Sequence, residues 1–202
     1  MKRILWDVDT QVDFVHADGK LAVPEAEAAI PAMRLLVEWA RAEGIPHVAS
    51  ADDHELTDPE ISETPDFSST YPPHCLRGTR GAAKITETAQ ADPVPLGLTD
   101  VPERFFRGRE FLLLKKHFDV FTNPHADRLL ELLDPEEVVL FGVATDVCND
   151  AAIRGLLARR RSVTVVEDAC RGLDESRTAA CTADWRAAGV RFSSSDRLPM
   201  ES

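Results

Sequence analysis

Short apolar segments with strand character alternate with amphipathic segments along most of the chain, and this alternation limits the fold more than any other feature. The strand segments are 3–8, 46–51, 110–115, 137–142, 162–167 and 190–192, and the helical segments are about 24–42, 125–133, 146–159 and 175–188. Strands that alternate with helices of this length form a parallel sheet whose two faces are covered by helices. The sequence therefore predicts an α/β fold, with three layers (α/β/α) around a mostly parallel six-stranded sheet.

The segment from about 52 to 108 lacks this periodicity and carries seven of the thirteen prolines. An irregular segment of this length inside a compact domain is usually functional. The total of 202 residues suits one domain with a single core. We therefore expect one domain over residues 1–202, in which the loop-rich insert at about 52–108 carries metal and substrate residues.

Charge and hydropathy disfavour several classes of partner. The net charge of -12 argues against nucleic acids and anionic membranes, whose phosphates the protein would repel. No apolar stretch approaches the roughly 20 residues of a membrane span, and Asp7 and Asp9 interrupt the N-terminal apolar stretch that a signal peptide requires. We expect a cytoplasmic protein that acts on a small molecule and binds neither nucleic acid nor membrane.

Reactive side chains follow four of the predicted strands, at the point where each strand ends. Asp7 and Asp9 end the first strand, 52–54 (Asp-Asp-His) ends the second, 115–117 (Lys-Lys-His) ends the third, and 142–148 leads from the fourth to Cys148. Because ligands of open α/β sheets bind beyond the carboxyl ends of the strands, these side chains are expected to meet at one site.

Cys148 is the candidate nucleophile of this site. It is predicted in the first turn of a helix, where backbone N–H groups and the helix dipole stabilise an anion, so we expect a lowered thiol pKa. A nearby lysine would lower it further, and a carboxylate could exchange the proton. The alternative is an inert, buried helix cysteine.

Asp52, His54 and His74 form a candidate metal site, because His74 lies in the same insert, in the sequence Pro-Pro-His-Cys. Two imidazoles and a carboxylate suit zinc, iron or manganese and leave coordination positions open for water or substrate. The alternative is a pair of solvated loop histidines. Cys75 is a further, weaker candidate for a soft ligand.

At these residues the sequence resembles the isochorismatase-like cysteine hydrolases, whose fold is Rossmann-type, and among them the nicotinamidase/pyrazinamidase branch. The resemblance rests on 9–14 (DTQVDF), on the lysine in 115–124 (KKHFDVFTNP) and on 142–148 (GVATDVC), in this order along the whole chain. It implies Asp9, Lys115 and Cys148 as catalytic residues. Lys116 is adjacent to Lys115, so the position of the lysine stays open between the two.

The same resemblance implies further roles for residues around the nucleophile and the insert. The N–H groups of Ala144 and Cys148 would form the oxyanion hole, after a cis peptide at Val143–Ala144. Phe14 and Tyr71 would bind the substrate ring. Asp52, His54 and His74 would hold one divalent transition metal, zinc in the first place and otherwise iron or manganese, and Glu60 is a candidate fourth ligand.

The implied activity is metal-assisted hydrolysis of the carbon–nitrogen bond of a linear amide, namely nicotinamide to nicotinate and ammonia through a thioester on Cys148. This reaction belongs to NAD salvage. Two departures leave the substrate open: Tyr71 stands where nicotinamidases usually carry tryptophan, and Asn149 stands where the family generally has an apolar residue. A related amide could therefore replace nicotinamide. A homo-oligomer is also left open, because relatives commonly assemble.

Three alternatives remain at this stage. A metal-independent family relative would cleave isochorismate or an N-carbamoyl amide. A phosphatase of the haloacid dehalogenase type would use Asp7, Asp9 and magnesium, because 4–10 (ILWDVDT) resembles the first motif of that class. A non-catalytic binding module would keep the fold alone.

Overall fold

The computed structural model of the protein describes residues 2–67, 69–99, 101, 105 and 107–198. Its centre is a seven-stranded sheet in the order β3-β4-β2-β1-β5-β6-β7, in which every pair of neighbouring strands is parallel. The strands are β1 (Arg3–Val8), β2 (His47–Asp52), β3 (Val94–Leu96), β4 (Glu110–Lys115), β5 (Glu137–Val143), β6 (Ser162–Arg171) and β7 (Arg191–Ser193).

The helices are α1 (Val12–Val15), α2 (Ile30–Ala42), α3 (Ala126–Leu133), α4 (Asp150–Ala158) and α5 (Glu175–Ala187). Short 3₁₀ turns occupy Ala26–Ala29 and Val120–Thr122, and a π-helical turn at Thr145–Asn149 leads into α4. The amphipathic pattern explains α2, whose residues Met33, Leu36, Val37 and Ala40 are buried as their spacing predicts. Gly44, with a φ of 65°, stops the chain from continuing this helix.

The predicted α/β fold is confirmed, but the predicted number of six strands is wrong. The additional strand is β3, which lies inside the loop-rich insert. It pairs with β4 alone and contains Pro95. Because proline cannot donate to a strand ladder, it is tolerated at an edge, where the sequence Pro-Val-Pro-Leu gives no strand signal. The single-domain organisation over 1–202 stays a prediction.

The sheet order places the ends of four neighbouring strands beside one another. The chain runs from β1 to β2 and β4 on one side, and returns to β5 on the other side of β1, so the order reverses between β1 and β5. Such a reversal opens a crevice at the carboxyl ends of the strands. In the described part of the chain, no helix combines the length and apolar character that crossing a membrane requires.

At the amino ends of the strands, opposite the crevice, the side chain of Glu137 connects four strands through hydrogen bonds. Its buried carboxylate accepts hydrogen bonds from Arg3 Nε at 2.6 Å, from Thr164 Oγ1 at 2.7 Å and from an Arg191 guanidinium nitrogen at 2.6 Å. Burial raises the pKa of Glu137, but the hydrogen bonds from Thr164, Arg3 and Arg191 outweigh it and hold the pKa below its usual range. The charged form is therefore the one that stabilises the fold.

We expect Glu137→Gln to lower the free energy of unfolding by about 2 kcal/mol at pH 7. This is less than for a fully buried pair, because the Arg191 side chain is 55% exposed. Since the folded-state pKa is depressed, the stabilisation is present above about pH 4.3 and is lost as the pH falls through the folded-state value. The difference between the two proteins, measured by urea unfolding, should shrink between pH 7 and pH 3.

The neighbouring Glu136→Gln substitution is the control, because Glu136 is exposed and, among the described residues, its side chain accepts only the backbone N–H of Lys2. An equal loss of stability in both variants, or a difference that grows at low pH, would contradict this account.

Candidate active site

Four strands deliver the side chains of the site. Asp52 and Lys115 are the last residues of β2 and β4 and are direct partners in the ladder. Asp9 follows β1, and Cys148 lies in the π-helical turn after β5. Because β4, β2, β1 and β5 are consecutive in the sheet, the four side chains converge, as the positions of the strand ends predict.

Lys115 is the centre of this group. Its ammonium lies 2.9 Å from Asp9 Oδ2, donates a hydrogen bond to Asp52 Oδ1, and lies 4.0 Å from Cys148 Sγ, and the side chain is fully buried. Lys116 instead pairs with Asp58 at 2.7 Å, outside this group. Of the two adjacent lysines, Lys115 is therefore the one that reaches Asp9 and Cys148.

The charges of the group set its protonation. Burial raises the pKa of the Cys148 thiol, and the carboxylates of Asp9 and Asp52 add to this, against the opposing effect of Lys115. Burial lowers the pKa of Lys115, but Asp52 and Asp9 raise it well above its usual range. The expected low thiol pKa is thus wrong, because desolvation and two nearby carboxylates outweigh the lysine and the helix terminus.

Asp9 is suited to exchange a proton with the thiol. Burial raises the pKa of Asp9, while Lys115 opposes this. The Lys115 ammonium contacts the Cys148 sulfur as well as Oδ2 of Asp9. The other Asp9 oxygen, Oδ1, accepts a 2.7 Å hydrogen bond from Ser50 Oγ, which fixes the orientation of the carboxyl group. Asp9 and Cys148 therefore share the Lys115 ammonium as a neighbour inside one buried group of ionisable side chains.

The segment between β5 and α4 shapes the backbone around Cys148. Gly142 has a φ of 132°, and a side chain there would lie 2.1 Å from the Val8 carbonyl oxygen, so only glycine fits. The following Val143–Ala144 peptide is cis, as the resemblance implies. The π-helical turn then brings Ala144 and Cys148 to the same pocket.

Asp52, His54 and His74 fit a metal ion. Their ligand atoms lie within 4.8 Å of one another, and all three side chains are buried, so the alternative of solvated loop histidines is wrong. Asp52 Oδ2 lies 3.8 Å from His54 Nε2 and 3.7 Å from His74 Nε2. His54 Nε2 is buried and has no hydrogen-bond partner among the described residues, so it is available as a metal ligand.

Outer contacts orient both imidazoles. His74 Nδ1 donates to the Pro72 carbonyl at 2.8 Å, and His54 Nδ1 donates to the Asp58 carboxylate at 3.2 Å. With Nδ1 as the donor, the neutral form of each ring would present the lone pair of Nε2 to the cluster, which is the usual arrangement of metal-ligating histidines. Cys75 is not part of the cluster, because its thiol faces the Gly81 carbonyl and burial raises its pKa.

Two residues of the first motif support the cluster in a way that sequence reasoning missed. Gln11 accepts from the Asp52 N–H at 2.7 Å and donates to the Asp52 carbonyl at 2.8 Å. Asp13 accepts from the backbone N–H of Cys75, the residue after His74, at 2.7 Å. Both side chains are polar and follow a strand, but no local pattern shows which distant backbone they will bind.

A pocket that is open to solvent lies beside Cys148. Phe14 and Tyr71 line it and flank His74, with ring centroids 5.5 Å and 6.3 Å from the imidazole. Glu60 also lines the pocket, but it is not part of the described group of metal-ligand atoms. The other lining residues are Leu21, Val23, Asp52, Phe118, Val143, Ala144, Val147 and Leu173. Loops supply several of these apolar walls, and their sequence carried no signal for this role.

A parallel α/β sheet with a cysteine, a lysine and two carboxylates at its switch point defines a class of hydrolase. The chain belongs to the isochorismatase family, because the Isochorismatase domain model matches residues 4–197. The family and class that the sequence predicts, a hydrolase that acts on a carbon–nitrogen bond, are confirmed.

Three relatives illustrate the similarity. The chain is 32% identical over 200 residues to the nicotinamidase/pyrazinamidase of Mycobacterium tuberculosis, covering 94% of this chain and 97% of that protein. The structure of N-carbamoylsarcosine amidase from Thermoplasma acidophilum is 27% identical, with a TM-score of 0.76 and coverage of 98% and 99%. Pyrazinamidase of Pyrococcus horikoshii, solved in complex with zinc, shares the fold at 21% identity, with a TM-score of 0.74 and coverage of 96% and 99%.

Gln11→Leu should lower the free energy of unfolding of the metal-free protein by about 2 kcal/mol. The substitution keeps the size of the side chain but leaves the buried N–H and carbonyl groups of Asp52 without these partners. Urea unfolding in the presence of a chelator measures the change. An unchanged unfolding midpoint would show that the two hydrogen bonds between Gln11 and the Asp52 backbone do not contribute to the free energy of unfolding.

Proposed function

We propose that the protein is a metal-assisted cysteine amidohydrolase that converts nicotinamide and water to nicotinate and ammonia. The observation that carries this proposal is the position of Lys115, whose ammonium reaches Asp9 and the two pocket residues Asp52 and Cys148. In this arrangement one buried ammonium group lies next to both the proton acceptor, Asp9, and the nucleophile, Cys148. Such pairing is what activation of a buried thiol requires.

In the first step, Asp9 accepts the proton of the Cys148 thiol, and the sulfur attacks the amide carbon. The buried Lys115 ammonium stabilises the thiolate while the proton is on Asp9. The N–H groups of Ala144 and Cys148 hold the oxyanion of the tetrahedral intermediate. Asp9 then gives its proton to the leaving nitrogen, so that ammonia departs and a thioester remains on Cys148.

In the second step, Asp9 accepts a proton from water, which attacks the thioester carbon. The same two N–H groups hold the second oxyanion. Collapse of this intermediate releases nicotinic acid, and the proton on Asp9 returns to the sulfur of Cys148. The released acid ionises to nicotinate by giving its own proton to the ammonia from the first step or to water. The raised pKa of Asp9, caused by its burial, suits a group that both takes and gives a proton.

Asp52, His54 and His74 would hold the divalent metal, for which we propose zinc, with iron or manganese as substitutes. Bound there, the metal would supply a Lewis acid for the pyridine nitrogen or for water. Glu60 lines the pocket beside this cluster and is the candidate for a fourth ligand. Zinc in the pyrazinamidase of Pyrococcus horikoshii supports this choice of metal.

The chemistry of the pocket favours a neutral aromatic amide. Phe14 and Tyr71 provide two aromatic walls, and Leu21, Val23 and Phe118 add apolar surface. None of the described lining residues is a lysine or an arginine, while Asp52 and Glu60 are acidic. A substrate carboxylate would find no lysine or arginine among these lining residues to pair with, whereas a neutral pyridine carboxamide needs none.

The lack of a lysine or arginine among the described lining residues also argues against two other activities. N-carbamoylsarcosine, the substrate named for the amidase of Thermoplasma acidophilum, and isochorismate both carry carboxylates that this pocket does not complement. The phosphatase alternative lacks support, because Asp7 is engaged by Lys84 Nζ at 2.9 Å and Thr10 Oγ1 at 2.8 Å. A non-catalytic module would leave the buried Asp9, Lys115 and Cys148 without a purpose.

Cys148→Ala should abolish ammonia release from nicotinamide while the protein still folds, because the thioester cannot form without the sulfur. We expect a loss of at least about a thousandfold. The matched control is Cys181→Ala, since Cys181 lies on α5 outside the pocket. Retained turnover in Cys148→Ala would contradict the mechanism. If the unmodified protein hydrolyses other amides but not nicotinamide, the proposed substrate is wrong and one of those amides replaces it.

His74→Ala should reduce the zinc content of the purified protein from about one per chain to a small fraction, because the cluster loses one of its three ligands. Metal analysis after dialysis against a weak chelator measures this. His16→Ala is the control, because His16 pairs with Glu27 away from the cluster. Equal zinc content in both variants would contradict the assignment of the ligands.

A further inference from the structure

Asn149 is a buried polar residue that the mechanism does not yet use. It follows Cys148, ends the π-helical turn, and is 0% exposed. Its Nδ2 donates a 3.0 Å hydrogen bond to the carbonyl of Gly142, and its backbone N–H donates a 3.1 Å hydrogen bond to the carbonyl of Ala144. One residue therefore holds two carbonyl groups of the segment that connects β5 to the nucleophile.

The two hydrogen bonds lie on either side of the Val143–Ala144 peptide. The Gly142 carbonyl precedes this peptide unit, and the Ala144 carbonyl follows it. Since the N–H of Ala144 belongs to the enclosed peptide, its direction depends on how both flanking carbonyls are held. The N–H of Cys148, the other proposed oxyanion donor, immediately precedes Asn149 in the same turn.

Packing alone does not explain an asparagine at position 149, because its side chain costs free energy there. Its Oδ1 is buried and has no hydrogen-bond partner among the described residues. An unpaired buried acceptor costs about 1–3 kcal/mol. An apolar side chain of the same shape would avoid that cost, so the donor to Gly142 is the feature that distinguishes asparagine here.

We propose that Asn149 is a positioning residue that aims the two oxyanion donors, Ala144 N–H and Cys148 N–H, by tying the Gly142 carbonyl to the nucleophile turn. This inference rests on the proposed function. Asn149 does not contact the substrate pocket and acts through the backbone. Its loss should therefore affect the transition state more than the ground state.

The test is Asn149→Leu, which keeps the approximate shape and removes the hydrogen bond to Gly142. For nicotinamide hydrolysis we expect kcat to fall about tenfold or more, with KM changed less than about twofold, because donors to the oxyanion act in the transition state. The control is Ile153→Val, since Ile153 is fully buried on α4, one turn further on. This control measures what a loss of packing alone does to kcat.

A second readout uses pyridine-3-carboxaldehyde, to which the Cys148 thiol adds reversibly. The sulfur forms a bond to the aldehyde carbon, the carbonyl oxygen takes the place of the oxyanion, and the thiol proton ends on that oxygen. Protection of Cys148 from alkylation by iodoacetamide gives the affinity. We expect Asn149→Leu to weaken the aldehyde about tenfold and to leave the affinity for nicotinate unchanged.

The readouts separate the two proposals. A protein that releases no ammonia from nicotinamide would contradict the proposed function, while the aldehyde comparison would still decide the role of Asn149. Equal aldehyde affinity in Asn149→Leu and the unmodified protein, including no binding by either, would overturn the positioning role. A kcat loss no larger than that of Ile153→Val would overturn it as well.

Discussion

The ammonium group of Lys115 lies fully buried between the carboxylates of Asp9 and Asp52. Removing an ion from water costs several kcal/mol, so this lysine stays charged only because two carboxylates surround it. Those carboxylates in turn depend on the lysine, since burial alone would favour their neutral forms. Three neighbouring strand ends hold the three charges together, and the balance of these charges acts on the thiol of Cys148, which follows a fourth strand.

Asp52 connects the two halves of the site. One carboxylate oxygen accepts from Lys115, and the other faces the imidazoles of His54 and His74. Lys115 and the histidines hold the pKa of Asp52 below its usual range against the effect of burial, so it remains a carboxylate. A cation at the histidines and a proton on Asp9 therefore act on the same small set of charges. Gln11 fixes the backbone of Asp52 and thereby holds its carboxylate in place between Lys115 and the two histidines.

The loop-rich insert contributes to this arrangement through contacts with the first motif. Asp13 holds the backbone next to His74, and Gln11 Nε2 also donates to the Ala82 carbonyl at 2.8 Å. Asp146 plays a comparable part after β5, because its buried carboxylate accepts the N–H of the pocket residue Leu173 at 2.7 Å. Polar side chains at the strand ends thus bind irregular segments to the rigid sheet through hydrogen bonds. These bonds fix the positions of the loop residues that line the site.

The sequence by itself determined the α/β class, six of the seven strands, and the identity of the side chains at the strand ends. Hydrophobic periodicity and strand punctuation are local signals, and the rule for parallel sheets converts them into a place for the site. Only the tertiary structure decided that Lys115 and not Lys116 faces Asp9, that His54 and His74 are buried together, and that burial and two carboxylates raise the pKa of the Cys148 thiol. Those outcomes depend on distances between segments far apart in the chain and on desolvation, and neither is encoded in any local pattern.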